Sequence, residues 1–138
     1  MSGTTSGAAA QVGIPAITAE AGGCGLVEEH AVQLHVAGLN GVLEVLGMTD
    51  RDAAAERGQA PSYLSRFLWL RCQDAGWWEP AVRAGDAVSA GQILGTVNTL
   101  DGADVLETIV APADGVVIFL TSSPAVADDG LLLGLGAA

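Results

Sequence analysis

Between Asp74 and Gly130 a turn signal recurs six times: Asp74-Ala75-Gly76, Ala84-Gly85-Asp86, Ala90-Gly91, Asp101-Gly102, Asp114-Gly115 and Asp129-Gly130. Aspartate caps turn backbone with a side-chain oxygen, and glycine supplies the positive φ that many turns need. The runs left between these signals are short and β-rich: Ala87-Val88, Ile93–Val97, Leu106–Val110, Val116–Leu120 and Leu131–Leu135. Leu64, Phe67, Leu68, Trp69 and Leu70 lead into them as a first strand or two. No helix fits this spacing. Residues 63–138 are predicted to form a small all-β barrel or sandwich.

The first third of the chain has another rhythm. Val32, Val36, Leu39, Val42, Leu43 and Leu46 recur at three- and four-residue steps, which predicts a helix over 27–46 with one apolar face. Glu28 and Glu29 suit its positive end, and Gly47 suits its stop. Gly38 and Gly41 each weaken that helix by about 1 kcal/mol relative to alanine, so close packing against another element is expected there. Ahead of it, Ile14–Ala19 is a strand candidate, followed by Glu20 and the glycine-rich Ala21-Gly22-Gly23-Cys24-Gly25. Ala8-Ala9-Ala10 favours a short helix before the strand. Strand, glycine loop and helix make an α/β fragment over 1–48. Such a half-unit forms no core alone, so its sheet must come from elsewhere. The polar, turn-prone residues 49–62 are expected to be a linker.

Composition removes several functions. The 138 residues carry a formal charge of −11, no lysine, and arginines only at 51, 57, 66, 71 and 83. Nothing here neutralises phosphates, so neither nucleic acid nor an anionic membrane is an expected partner. Two lone cysteines, Cys24 and Cys72, form neither a disulfide framework nor a zinc ribbon, and reduced thiols in a cytoplasmic protein are expected. The start lacks the basic and apolar stretches of a signal peptide. No apolar run approaches the roughly 18 residues that span a bilayer.

Few residues carry candidate chemistry. Phosphate-loop and dinucleotide fingerprints are absent, as is His-Glu-x-x-His. His30 and His35 lie five apart on the predicted helix and point to separated faces, so they cannot share a metal. Cys24 with His30 nearby allows a cysteine hydrolase, but no third orienting group is evident. Asp86, Asp101, Asp114 and Asp129 fall in turns and read as structural caps. Glu20 is different. It ends an apolar run just before a glycine loop, where α/β folds place ligands. It is either a site carboxylate or a buried loop-capping one.

Gly13-Ile14-Pro15-Ala16-Ile17-Thr18-Ala19-Glu20-Ala21-Gly22-Gly23, with the later Leu43-Glu44-Val45-Leu46-Gly47-Met48, resembles the succinylglutamate desuccinylase/aspartoacylase family. Gly85-Asp86-Ala87-Val88-Ser89-Ala90-Gly91-Gln92-Ile93-Leu94-Gly95 and Ala111-Pro112-Ala113-Asp114-Gly115-Val116-Val117 resemble that family's closing β domain. They are also similar to biotinyl and lipoyl carrier domains, whose cofactor lysine this chain lacks. The resemblance implies a zinc hydrolase with a carboxypeptidase-like α/β domain, in which Glu20 matches the general base and acid. It also implies zinc ligands in a His-x-x-Glu pair and a later histidine, all upstream of the Glu20 region. This chain has no His-x-x-Glu: Gln33 stands three after His30, and Gly38 three after His35.

The expectation is therefore the carboxyl-terminal portion of a zinc-dependent deacylase of N-acyl amino acids, cut from a longer frame or half of a split enzyme. Alone it is expected to bind no catalytic zinc. The alternative is an inactive binding or assembly module that pairs with a complementing chain or with itself.

Overall fold

The structure, a computed structural model, describes residues 3–49 and 62–137. The chain divides into two compact units, 1–60 and 61–138. The expected linker at 49–62 falls almost wholly outside the described residues.

The first unit holds two helices, α1 (Thr5–Gln11) and α2 (Glu29–Val45). Thr4 caps α1, its hydroxyl accepting from the Gly7 N–H at 3.0 Å. Helix α2 falls within the predicted 27–46, and Gly47 ends it at φ +66°. The Gly47 N–H donates to Glu44 O and the Met48 N–H to Leu43 O, both at 2.9 Å, which satisfies the last carbonyls in a Schellman arrangement. The strand expected at Ile14–Ala19 does not form. A strand exists only where a neighbour takes up its N–H and C=O groups, and no other strand is described in this unit. These residues run as irregular backbone with Ile14 and Ile17 exposed, so the α/β fragment is corrected to two helices joined by irregular chain.

The periodic stripe of α2 is present but exposed: Val32, Val36, Leu39, Val42 and Leu43 all face solvent, and Ala31 is its buried residue. Gly38 and Gly41 have open space where a Cβ would stand, so the expected close packing is not found. Without that constraint, Gly38→Ala and Gly41→Ala are each expected to stabilise the helix by about 1 kcal/mol. Far-UV circular dichroism through a thermal ramp checks this.

The second unit is all antiparallel β. Its strands are β1 (Arg66–Arg71), β2 (Gly76–Pro80), β3 (Ala87–Val88), β4 (Ile93–Asn98), β5 (Val105–Val110), β6 (Gly115–Leu120), β7 (Ala125–Val126) and β8 (Leu131–Ala137). One sheet has the order β1-β8-β6-β3 and the other β5-β4-β2-β7. No strand is shared between them, so among the described residues the barrel expectation fails and two four-stranded sheets stand in its place. Trp78, Leu94 and Val97 from one sheet and Val117, Leu132, Leu133 and Leu135 from the other form one buried cluster. Strands β2 and β7 were not among the expected runs. The Trp77-Trp78 pair has no alternation around it to read, and β7 spans two residues.

The turn aspartates act as caps. Asp86 accepts from the Arg83 N–H and Asp114 from the Ala90 N–H, each at 2.8 Å. Asp129 takes positive φ at +55°, and its carbonyl accepts from Arg71 Nη1 at 2.6 Å. Both cysteines are free. Cys24 is exposed, while Cys72 is buried with its Sγ donating to Ala127 O at 3.2 Å.

Candidate active site

Ala16, Thr18 and Glu20 alternate along the irregular segment after α1. Residues two apart on extended chain share a side, and all three line one open cleft of about 540 Å³. Thr4, Ser6 and Gly7, from the start of α1, supply the opposite wall. Ser6 Oγ lies 3.2 Å from Thr18 Oγ1 and 3.3 Å from Thr4 Oγ1, so a chain of hydroxyls ties the helix start to the segment that carries Glu20.

Glu20 is exposed and makes no hydrogen bond or ion pair with any described residue. The structural alternative, a buried or loop-capping carboxylate, is not what forms. Glu28 is the carboxylate nearest the loop, its Oε2 standing 3.3 Å from where a Cβ at Gly22 would be, but it too is exposed and makes no capping bond. Gly22, at φ +76°, also passes close to Ala31 of α2, where a Cβ would meet Ala31 Cβ at 3.1 Å. Gly23 and Gly25 border open space. The loop glycines thus bring the chain against its own helix at one point and leave the rest accessible.

The other candidates do not assemble. His30 is exposed and His35 half-buried on α2, and neither has a polar partner among the described residues. Cys24, exposed at φ +55° in the glycine loop, has no polar partner among the described residues. No three His, Cys, Asp or Glu side chains gather into a metal-holding group among the described residues. The described donors therefore do not fit zinc. The hydroxyls of Thr4, Ser6 and Thr18 were missed by sequence reasoning, although the two-residue spacing of Thr18 and Glu20 was there to read.

No family model matches the sequence, and no curated protein matches it significantly. Solved structures do. A succinylglutamate desuccinylase/aspartoacylase from Rhodobacter sphaeroides superposes with a TM-score of 0.80 at 21% identity, over 96% of this chain and 42% of its own. The chain has the succinylglutamate desuccinylase/aspartoacylase fold. It corresponds to the carboxyl-terminal portion of that fold. The apo ectoine utilization protein EutE (DoeB) from Ruegeria pomeroyi gives a TM-score of 0.79 at 21% identity, over all of this chain and 44% of its own. A succinylglutamate desuccinylase from Silicibacter sp. TM1040 gives 0.74 at 19% identity, over 97% and 42%. The chain thus spans less than half the length of each of these three structures. Among the described residues, no helix is long and apolar enough to cross a membrane.

Proposed function

We propose that this chain is the carboxyl-terminal portion of a metal-dependent amidohydrolase that cleaves N-acyl amino acids, with Glu20 as its proton-transferring carboxylate. The observation that carries this reading is the state of Glu20: an exposed carboxylate, bonded to nothing described, beside an open hydroxyl-lined cleft. A carboxylate engaged in structural bonds has fewer free lone pairs for a reacting water. One held this way has both oxygens free. In amide hydrolysis such a group accepts a proton from the attacking water and returns it to the departing amine, across contacts of about 2.6–3.2 Å. The likeness to desuccinylase structures supports a substrate of that class, an acyl group amide-linked to an amino acid.

Zinc is the metal this fold implies, and no group of described side chains fits it. On this reading its ligands come from a separate stretch of chain. The exposed stripe on α2 supports the same division, because an amphipathic helix is stabilised chiefly by covering its apolar face. That stripe equally favours the second reading, an inactive module whose α2 pairs with a partner chain or a second copy.

Elemental mass spectrometry on the purified chain is expected to find zinc far below one atom per chain. About one zinc per chain would overturn the placement of the ligands and return His30, His35 and Cys24 to consideration. Addition of a chain carrying His-x-x-Glu then separates the readings. Gain of N-acyl amino acid hydrolysis supports the enzyme, and a stable but inert complex supports the module.

A further inference from the structure

The apolar stripe of α2 has a stricter spacing than an ordinary amphipathic helix. Val32, Val36, Leu39, Leu43 and Leu46 follow one another at steps of four, three, four and three residues. A repeat of 3.5 residues keeps one narrow seam turned toward a second helix along its whole length. All five side chains are exposed, from 38% at Leu43 to 64% at Leu39 and Leu46. Helix α1, with seven residues, is too short to cover them.

The stripe supplies its own complement. Its valines lie toward the start of α2 and its leucines toward the end. Two antiparallel copies would pair Val32 with Leu43 of the second copy and Val36 with Leu39, and symmetry repeats both pairs. Every layer then holds one valine and one leucine, which keeps the helices evenly spaced. A parallel pair would stack valine on valine at one end and leucine on leucine at the other. It would also set Glu29, one heptad before Val36, against its own copy in the seam, whereas the antiparallel pair places Glu29 beside Leu46 at the rim. Charge permits the approach. From His30 to Leu43 the helix carries no Asp, Glu, Lys or Arg, in a chain of net charge −11. With Val42 at the margin, six side chains about half exposed on each copy leave on the order of 1,000 Å² to bury, the size at which a specific interface begins.

We propose that the chain alone forms an antiparallel homodimer through α2, its two-fold axis at the level of Ala37 and Gly38. This deepens the self-pairing form of the second reading above and is independent of Glu20. An interface at the lower size limit gives an exchanging dimer, with a dissociation constant on the order of 10 µM. A charged partner helix fits less well, because the seam offers it no opposite charge. A complementing chain that covered α2 would displace the second copy.

The test is sedimentation velocity of the full chain from about 1 to about 200 µM, a range that brackets such a dissociation constant. The wild type is expected to pass from monomer to dimer. Leu39→Glu, in the seam, is expected to weaken the dimer by about 100-fold, since each copy then buries an unpaired charge. Leu34→Glu, 52% exposed on the opposite side of the same helix, is expected to leave it unchanged. That comparison separates loss of the seam from loss of the helix, and near-ultraviolet circular dichroism reports that the β unit is kept. Disulfide trapping in a Cys24→Ser background reads the orientation: Val36→Cys mixed with Leu39→Cys is expected to cross-link, and neither alone. A monomer at every concentration overturns the proposal and leaves pairing with a different chain to the complementation assay. A dimer untouched by Leu39→Glu, an equal loss in Leu34→Glu, or cross-linking by Val36→Cys alone overturns it as well.

Discussion

Glu20→Gln, placed in an assembly that hydrolyses an N-acyl amino acid, is expected to lower kcat by about 10²–10⁴-fold, the usual worth of a positioned general base. Glutamine keeps the shape of glutamate and an accepting oxygen but takes no proton at working pH. The wild-type carboxylate is exposed and free of structural bonds, so the substitution disturbs no packing. Stability is expected to stay within about 0.5 kcal/mol, as for a surface change away from caps and ion pairs. Metal content, held by groups elsewhere, is expected to be unchanged. This combination of slow turnover, intact fold and full metal load separates a proton-transfer role from a structural one. Single-turnover kinetics beside a thermal melt would measure it, and near-normal turnover would remove Glu20 from the mechanism.

Trp78→Ala is expected to have the largest effect on stability, a loss of about 3–5 kcal/mol. Trp78 is 2% exposed and belongs to the cluster that joins the two sheets. Its ring lies against Gly95 of the neighbouring strand, where an added Cβ would stand 2.5 Å from both the ring and Glu79 O. Alanine would leave a hole that backbone on one side and close-packed aliphatics on the other cannot fill. A domain of this size loses roughly 4–8 °C of Tm per kcal/mol, so the melt of the β unit should fall by roughly 12–40 °C. Near-ultraviolet circular dichroism follows it directly. Trp78→Phe should cost far less. Its ring keeps most of the volume, and it removes the indole N–H, a buried donor with no partner in the structure. If Trp78→Phe proves as damaging as Trp78→Ala, filling the cavity is not what Trp78 does.

The β unit was largely legible because its punctuation is local. Each aspartate or glycine turn is decided within three or four residues, and β3 to β6 and β8 fell where those turns left them. Whether the strands close into a barrel or stay as two sheets was not legible, since it depends on which edge strands meet, and no residue type announces that. Helix α2 was legible from spacing alone. The strand at Ile14–Ala19 was misread for a physical reason: apolar composition describes what a segment does once paired, and pairing is supplied by another strand. That Glu20 stands just before the glycine loop could be read from the sequence, whereas Thr4 and Ser6 reach its cleft only through the fold of α1.

The exposed apolar stripe of α2 sets a clock as well as a surface. A 17-residue helix whose interior carries Gly38 and Gly41 is marginal by itself in water. Its amides should then exchange with deuterium nearly as fast as those of an unfolded peptide. The amides of β8, with a paired strand on either side, open only with the whole β unit. One molecule would show two exchange regimes, and the faster would slow when the α2 stripe is covered. Deuterium uptake at residues 29–45 is thus a direct gauge of whether the α2 stripe is covered.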